Sequence, residues 1–236
     1  MNEHWAAAWS ASAQGPFPYG RETAQPDLSA LFPEPGYSAT NQSFRMIIRP
    51  DIWGRQLRIR LSNAHGSKPI TFKDLYVGMQ SMSSAILPGT NRQIQFDGLD
   101  IVTIEAGQWA VSDPVTLDFI TNLKDPLLTG KTIAVSFQVS GNSGPMTYHA
   151  KALQTSYLSE PDAREVCSSQ EEAGFPYSTT SWFFLDAVDM NMNAPTKVIV
   201  AFGDSISDGS GSTINGNDRW PDVVSRKLHA KFGDSV

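Results

Sequence analysis

The sequence has few of the features that mark several common classes of protein. It contains one cysteine, Cys167, among 236 residues, so no disulfide can form within the chain. This gives no indication of an oxidising or a reducing compartment. No apolar stretch approaches the roughly 18 residues that a membrane-spanning helix needs, and we therefore predict no membrane span.

Runs of lysine and arginine are also absent. The chain has 18 basic and 24 acidic residues and a formal net charge of −6. Contacts to phosphates need clustered cations, so we predict no nucleic-acid partner. The N-terminal sequence MNEHWAAAWSAS has neither a basic region nor an apolar core, and we read no signal peptide in this chain.

Patterns that bind metals or cofactors are missing as well. His4, His65, His149 and His229 are scattered, without the spacing of a metal site. The glycines after position 208 fit neither a phosphate-binding loop nor a dinucleotide fingerprint, because the required lysine and third glycine are replaced. We therefore predict that the protein uses no metal and no other cofactor.

From about residue 43 the sequence alternates between apolar and polar residues. The clearest example is KTIAVSFQVS, which places four apolar side chains on one face, namely Ile133, Val135, Phe137 and Val139. Short segments of this kind are separated by turn-forming sequences such as Asp97-Gly98 and Gly141-Asn142-Ser143-Gly144. The pattern predicts an antiparallel β-sandwich, with the first 40 or so residues wrapped over it as an irregular segment.

The sequence MNMNAPTK at 190–197 is polar and contains proline, which is typical of a domain boundary. We therefore predict three parts. Residues 1–190 form the N-terminal segment and the accessory sandwich, and 191–197 form a linker. Residues 198–236 begin a second domain.

The pattern after this linker differs from that of the sandwich. Residues 198–202, VIVAF, are apolar at successive positions, as in a strand of a parallel sheet that is buried on both faces. Asp218 is a predicted N-cap for a helix whose apolar face carries Trp220, Val223, Val224 and Leu228. A strand, a loop and a helix predict the opening of a βαβ unit.

Gly203-Asp204-Ser205 directly follows the predicted strand. In open α/β sheets, ligands bind beyond the carboxyl ends of the strands, and a sharp turn at Gly203 would raise Ser205 above the sheet. A serine in that place is suited to attack an ester carbonyl. The alternative is that the triplet is an ordinary turn with Ser205 as a cap, and the residues alone leave both interpretations open.

The sequence AFGDSISDGSGST followed by NDRWPDVVSRKL closely resembles the first motif block of the SGNH, or GDSL-type, hydrolases. These are serine esterases and lipases with a flavodoxin-like α/β/α domain. Upstream, RQLRIRLSNAHGSKPI and MTYHAKALQTSY resemble the β-rich N-terminal domain of one bacterial branch. The resemblance implies that Ser205 is the nucleophile and also an oxyanion N–H donor. It implies an orienting role for Asp204 and loop-shaping roles for Gly203 and Gly209.

The family also uses a later glycine and asparagine in its oxyanion hole and a base from an Asp-x-x-His sequence. No histidine here has an aspartate three residues before it. The resemblance therefore implies that these residues lie beyond Val236. We expect residues 198–236 to be an incomplete catalytic domain that is inactive by itself, because a serine without a base is a weak nucleophile.

The implied function is that of a carboxylic-ester hydrolase, an acylhydrolase acting on a small ester. Acetyl or short acyl groups on a carbohydrate are the substrate class that the resemblance favours. The missing part of the catalytic domain or a second chain would be the partner. The family's usual export implies a periplasmic or extracellular location.

Two other functions stay open. The sandwich could be a carbohydrate-binding module that uses surface aromatics, with Trp5, Trp9, Trp53 and Trp109 as the candidates. The simpler interpretation is that most of these tryptophans are in the core or hold the N-terminal segment in place. The sandwich could also be a structural module that roofs the active site, in which case His149 could reach the substrate.

Overall fold

The computed structural model describes residues 3–19 and 25–232. Strands make up most of its regular structure, together with a short 3₁₀ turn at Pro126–Leu128 and a helix, α1, at Trp220–Phe232. In chain order the strands are β1 (His4–Ser10), β2 (Ser43–Ile48), β3 (Gln56–Ser62), β4 (Ile70–Met79), β5 (Arg92–Gln93), β6 (Ile101–Ile104), β7 (Trp109–Val111), β8 (Val115–Thr116), β9 (Ile133–Ser140), β10 (Tyr148–His149), β11 (Ser156–Leu158), β12 (Tyr177–Thr179), β13 (Trp182–Phe183) and β14 (Leu185–Met192).

The strands of the described residues form two large sheets and one small one. The first sheet has the order β1-β14-β3-β7, with β8 also paired to β3. The second has the order β12-β11-β2-β9-β4-β5, with β6 also paired to β4, and β10 pairs with β13 in the small sheet. Every strand pair within them is antiparallel. The predicted antiparallel β architecture is confirmed, and the arrangement is consistent with a β-sandwich.

The two large sheets share one hydrophobic core. The alternating residues of β3 and β9 both contribute to it, as the sequence pattern predicts. Phenylalanines fill its centre, where the rings of Phe44, Phe72, Phe137 and Phe184 lie 5.2–6.3 Å apart by centroid. Edge-to-face contacts dominate this group, which is the geometry that aromatic rings prefer.

Strand β9 is buried on both faces, although its sequence predicts one buried face. Ala134, Ser136 and Gln138 are each no more than 2% exposed. Ala134 packs against Ile86, and the Gln138 amide donates to the carbonyl of Ala163 at 3.0 Å. Long irregular segments after β4 and β11 therefore cover a sheet face that would otherwise meet water.

The N-terminal segment is only partly irregular. Strand β1 pairs with β14 at one side of the first sheet, which the sequence did not predict. Phe17 and Phe32 then enter the hydrophobic core, with their rings 5.4 Å apart. The described residues that follow β1 have little regular structure, and through these two rings they are attached to the core of the sandwich.

Residues 198–202 do not form the predicted strand. They have no regular structure, and Val200 and Phe202 are 79% and 98% exposed. A strand of a parallel sheet needs neighbouring strands for its backbone hydrogen bonds and helices over its faces, and the described residues provide neither. The described residues contain no flavodoxin-like α/β/α layers.

The predicted helix exists, but its start and its packing differ from the expectation. It begins at Trp220, so Arg219 takes the N-cap position, and the Asp222 carboxylate accepts the Arg219 N–H at 3.1 Å. Asp218 instead accepts from Thr213. No residue of α1 is fully buried, and Trp220 is 49% exposed.

Strand β14 ends at Met192, inside the stretch that we predicted as a linker. The last strand of the sandwich therefore extends two residues past the predicted boundary at 190. Among the described residues, no helix is long and apolar enough to cross a membrane.

Candidate functional site

The Gly-Asp-Ser triplet begins a run of consecutive turns that we call the serine loop, residues 203–211. The loop is held by its own hydrogen bonds. The Asp208 N–H donates to the Asp204 carbonyl at 3.0 Å, and the Ser210 N–H donates to the Ser205 carbonyl at 2.9 Å. The loop is thus a compact unit in which Asp204, Ser205 and Asp208 have fixed relative positions.

Ser205 is exposed at the surface of this loop. Among the described residues, neither its hydroxyl nor its backbone N–H has a hydrogen-bond partner. The capping role belongs to Asp204, whose carboxylate accepts the Ile206 N–H at 2.9 Å. The triplet is therefore a turn, as one interpretation predicted, but Ser205 is not the cap.

Two glycines of the loop are required for different reasons. A Cβ on Gly203 would lie 2.2 Å from Oγ of Ser207, so this position needs glycine for the close approach of a side chain. Gly203 has no positive φ, and the sharp turn that we predicted there does not depend on one. Gly209 has a φ of +86°, which favours glycine, and it is buried beside Arg219.

Asp208 connects the serine loop to the sandwich. Its Oδ1 lies 2.9 Å from Nε2 of His149, and its Oδ2 accepts from the Gln14 amide at 3.3 Å. Burial acts to raise the pKa of the Asp208 carboxyl. The contact with His149 and the positive charge of Arg219 outweigh that effect, and they hold this pKa below its usual value.

His149 lies on β10 and is 5% exposed. Its Nδ1 is 2.8 Å from the carbonyl oxygen of Ser12, and its ring lies 5.6 Å from that of Trp182 by centroid. Both ring nitrogens therefore face oxygen acceptors, one of the backbone and one of Asp208. Only the Nδ1 contact has hydrogen-bond geometry. Nε2 lies within ion-pair distance of Asp208, but the angle of this contact is not that of a hydrogen bond.

Arg219 forms a second connection between the loop and the sandwich. Its Nε donates to the Asp208 carbonyl at 2.7 Å, and its Nη2 donates to the carbonyls of Lys151 and Ala152. Its guanidinium also lies 5.7 Å from the ring centre of Trp182. One side chain thus binds the serine loop and the segment after β10 at the same time.

Asn215, between the loop and α1, extends these contacts. Its backbone N–H donates to the Leu153 carbonyl at 2.8 Å, and its Oδ1 accepts from the Thr155 N–H at 2.7 Å. Asn215 has a φ of +60°, a conformation that asparagine tolerates better than most residues.

Helix α1 docks on the sandwich through polar side chains. Arg49 forms an ion pair with Asp222 at 3.3 Å, and both side chains are largely buried. Asp51 accepts from Ser225 and lies 3.5 Å from Nε2 of His229. Helix α1 is therefore attached by charge and hydrogen bonding, with little apolar burial.

A catalytic base for Ser205 is not found among the described residues. No histidine or carboxylate there is hydrogen-bonded to its hydroxyl. His149 is engaged by Ser12 and Asp208, and His65 is exposed. The described residues also contain no group of three or more His, Cys, Asp or Glu side chains that could hold a metal ion.

Three of the four candidate tryptophans are partly covered. Trp9 packs edge-on against Trp182 at 4.8 Å, and Trp53 packs against the hydrophobic core. The guanidinium of Arg58 lies over the ring of Trp5 at 4.6 Å. These contacts agree with the simpler interpretation, that most of these tryptophans pack within the protein.

Trp109 is the exception, because 58% of its surface is exposed on β7. Arg60 lies 5.6 Å from its ring centre and also pairs with Asp186 at 2.7 Å. An aromatic ring, a cation and a carboxylate thus adjoin on the outer face of the first sheet.

The sequence pointed to Ser205, Asp204, Gly203 and Gly209 but gave no role to Asp208 or Arg219. Both lie inside the quoted motif, Asp208 in the serine loop and Arg219 directly before α1, so their positions could be read from it. Their partners on β10 and near residue 14 could not, because no periodicity links positions so distant in the chain.

A scan against protein-family models finds no match to the chain. A search of curated proteins finds no significant match. The assignment to a function therefore depends on the serine loop and the motifs quoted above.

Proposed function

We propose that the protein is a carboxylic-ester hydrolase in which Ser205 is the nucleophile. The observation that carries this proposal is the state of Ser205 within an otherwise well-bonded loop. Ser205 is exposed, and neither its hydroxyl nor its N–H has a hydrogen-bond partner among the described residues, while Asp204 and Asp208 are both engaged. An oxyanion donor must be free for substrate in this way, and a nucleophile must be accessible to the substrate and to a base.

The reaction has two steps. The Ser205 hydroxyl attacks the ester carbonyl, the alcohol leaves, and an acyl group remains on its oxygen. Water then attacks the acyl group, releases the acid and restores the hydroxyl. The Ser205 N–H would donate to the oxyanion in both steps, and the general base would come from residues other than those described here.

The substrate class that we propose is an acetyl or short acyl ester, with a carbohydrate as the favoured alcohol. This rests on the resemblance to SGNH-type esterases and on analogy with their range of substrates. The same resemblance supports a periplasmic or extracellular location for the protein.

Hydrolysis of p-nitrophenyl acetate tests the assignment of Ser205. We expect no more than weak turnover by this chain alone, because loss of a triad member lowers the rate by about 10⁴-fold or more in other serine hydrolases. Ser205→Ala should abolish the turnover, and Ser210→Ala, which removes another exposed serine of the same loop, should retain it. Peptide mapping should place the acyl group on Ser205.

Equal rates for wild type and Ser205→Ala would overturn the proposal, as would an acyl group found on a different residue. Absence of both turnover and acylation would show that Ser205 is not activated in this chain. That result would overturn the proposed esterase activity of the chain.

Carbohydrate binding by the sandwich is a second proposal, which the exposure of Trp109 favours. Retardation of the chain in gels that contain acetylated or plain polysaccharide would measure it. We expect Trp109→Ala to lose the retardation and Trp53→Ala to keep it. Equal retardation of both variants would contradict a role for Trp109.

A further inference from the structure

We propose that His149 of the sandwich is a positioning residue for the serine loop: by holding the Asp208 carboxylate it fixes where Ser205 lies. The catalytic meaning of this role rests on the proposed function of Ser205. The positioning itself is a property of the loop and can be measured without any substrate.

Asp208 is the residue through which the loop is anchored. Its side chain is 19% exposed, whereas Asp204, Ser205 and Ile206 are all exposed at the surface. Another side-chain contact from the loop to the sandwich joins Ser210 to Lys151 at 3.2 Å and is exposed to water. A largely buried contact to a carboxylate is less screened by solvent than an exposed contact and holds its partners more strongly.

The anchor acts on Ser205 through the turn. The Asp208 N–H donates to the Asp204 carbonyl, and the N–H of the residue two positions later, Ser210, donates to the Ser205 carbonyl. These two hydrogen bonds connect the carbonyl groups of Asp204 and Ser205 to the backbone at and after Asp208, so Ser205 moves together with Asp208. Holding the Asp208 carboxylate therefore limits the motion of the serine.

His149 is itself held rigidly on the sandwich side. Its Nδ1 faces the Ser12 carbonyl, and its ring lies beside Trp182, so the ring has one position, with Nε2 2.9 Å from Oδ1 of Asp208. Gln14 supports the arrangement from a second side, because its amide donates to Asp208 and its carbonyl accepts the Ala150 N–H at 2.9 Å.

Among the described residues, Arg219 places a positive charge close to Asp208. Its guanidinium also donates to the backbone carbonyl of Lys151. Ser12, Gln14 and Trp182 contact the pair and carry no charge, and Asp186 lines the same cavity as His149. The pair therefore combines one carboxylate with an imidazole and a guanidinium, which favours the ionised form of Asp208.

Amide hydrogen exchange in the full chain tests the proposal. The reporters are the Asp208, Gly209 and Ser210 N–H groups, which donate within the loop. We expect His149→Phe, which keeps a ring of similar size, to raise their exchange rates by about tenfold or more. His149→Gln should restore most of the protection, because its amide N–H can donate to Asp208 from nearly the same place.

His65→Phe is the matched control, since the same substitution is made at an exposed histidine. It should leave the loop unchanged. The amides of β9 serve as an internal reference for global stability in every variant. If His149→Phe does not fold, Asp208→Ala removes the same contact from the loop side, and it should raise loop exchange while β9 stays protected.

Unchanged exchange in His149→Phe, or in Asp208→Ala, would overturn the proposal. So would a rise that is equal in the loop and in β9, because it would show that His149 stabilises the whole fold. Failure of the Gln variant to restore protection would also overturn it, since a donor to Asp208 is the property that the proposal requires.

The esterase assay separates this proposal from the proposed function. If Ser205 is the nucleophile, His149→Phe should lower kcat for p-nitrophenyl acetate by about tenfold or more and leave KM nearly unchanged. If the wild-type chain neither turns over the ester nor is acylated on Ser205, the proposed function fails for this chain. The exchange measurements would still decide whether His149 holds the loop.

Discussion

A Cβ atom on Gly209 would stand 2.4 Å from Cγ of Arg219, far closer than two non-bonded carbon atoms can approach. The aliphatic part of Arg219 therefore packs directly on the backbone of the serine loop. Its guanidinium continues past that contact to the carbonyls after β10. The fit between a glycine and an arginine thus helps to join the loop, the start of α1 and the sandwich.

This fit predicts that Gly209→Ala loosens the serine loop. A matched control is Gly211→Ala, because Gly211 has a similar φ of +89° but has no atom within 4 Å of its Cβ position. Backbone strain alone should cost about 1 kcal/mol in either variant. The collision with Arg219 should add to it in Gly209→Ala only, and faster exchange of the Ser210 N–H measures the difference. Equal effects of the two substitutions would contradict the packing argument.

Arg45 is fully buried on the outer face of β2, where no carboxylate pairs with it among the described residues. It donates instead to Ser136 and to the carbonyls of Ser84, Cys167 and Ser169. Its guanidinium lies 4.0 Å from the ring centre of Phe175. Burial lowers the pKa of Arg45 to about 10. These contacts fasten the irregular segments that cover the second sheet.

We therefore predict that Arg45→Met lowers the free energy of unfolding by about 3 kcal/mol, because buried carbonyls lose their donors. Arg55→Met is the control. Arg55 is exposed and donates to the carbonyl of Thr121, and its loss should cost less than about 0.5 kcal/mol. Urea denaturation compares the two variants. A small effect at Arg45 would show that water replaces the guanidinium.

Asp74 gives a prediction about pH. Burial raises the pKa of its carboxyl above the ordinary 3.8, although the bond from the Cys167 N–H opposes this. The unfolded chain therefore releases the Asp74 proton more readily than the folded chain does. Stability should fall as the pH rises from 3.8 through the raised folded-state pKa.

Asp74→Asn should remove this loss. Asparagine tolerates the φ of +51° at position 74 and can accept the same N–H. Relative to wild type, the variant should be more stable at about pH 7 than at about pH 3, as measured by urea unfolding. Asp162→Asn is the control, because Asp162 has a φ of +54° and is exposed. A similar pH effect in both variants would contradict burial as the cause.

Limited proteolysis tests the predicted boundary of the sandwich. Lys197 and the apolar residues after it are exposed, while the buried core ends at Met190. We expect trypsin to cut early after Lys197 and to leave an N-terminal fragment that unfolds in one cooperative step. Lys197→Gln should remove this early product. An earliest cut within residues 1–190, or a fragment without cooperative unfolding, would contradict the boundary.

Much of the sandwich could be predicted because its signals are local. The alternation in β9 follows from the pleat of a single strand, and the Asp97-Gly98 turn follows from two positive φ angles, 51° and 76°. The burial of Ser136 and Gln138 could not be predicted, because it depends on segments that arrive from elsewhere in the chain. A polar residue does not reveal which loop will cover it.

The strand predicted at 198–202 shows the opposite limit. Its apolar sequence indicates that the segment needs neighbouring strands at its edges and helices over its faces. It does not indicate whether those elements are present. The serine loop could be identified from its motif, since Gly203, Asp204 and Ser205 are consecutive. The contact between His149 and Asp208 could not, because a single histidine in a strand has no periodic signal.

The polar docking of the loop and α1 bears on how variants of this protein should be interpreted. If Ser205 is the nucleophile that we propose, substitutions that inactivate it would fall in separate stretches of the gene, near codons 12–14, 149–155 and 203–222. A screen that scored activity alone would mark the first two groups as damage to the sandwich. A second screen for folding would show that these variants still fold. Their positions would then identify the surface of the sandwich that contacts the loop.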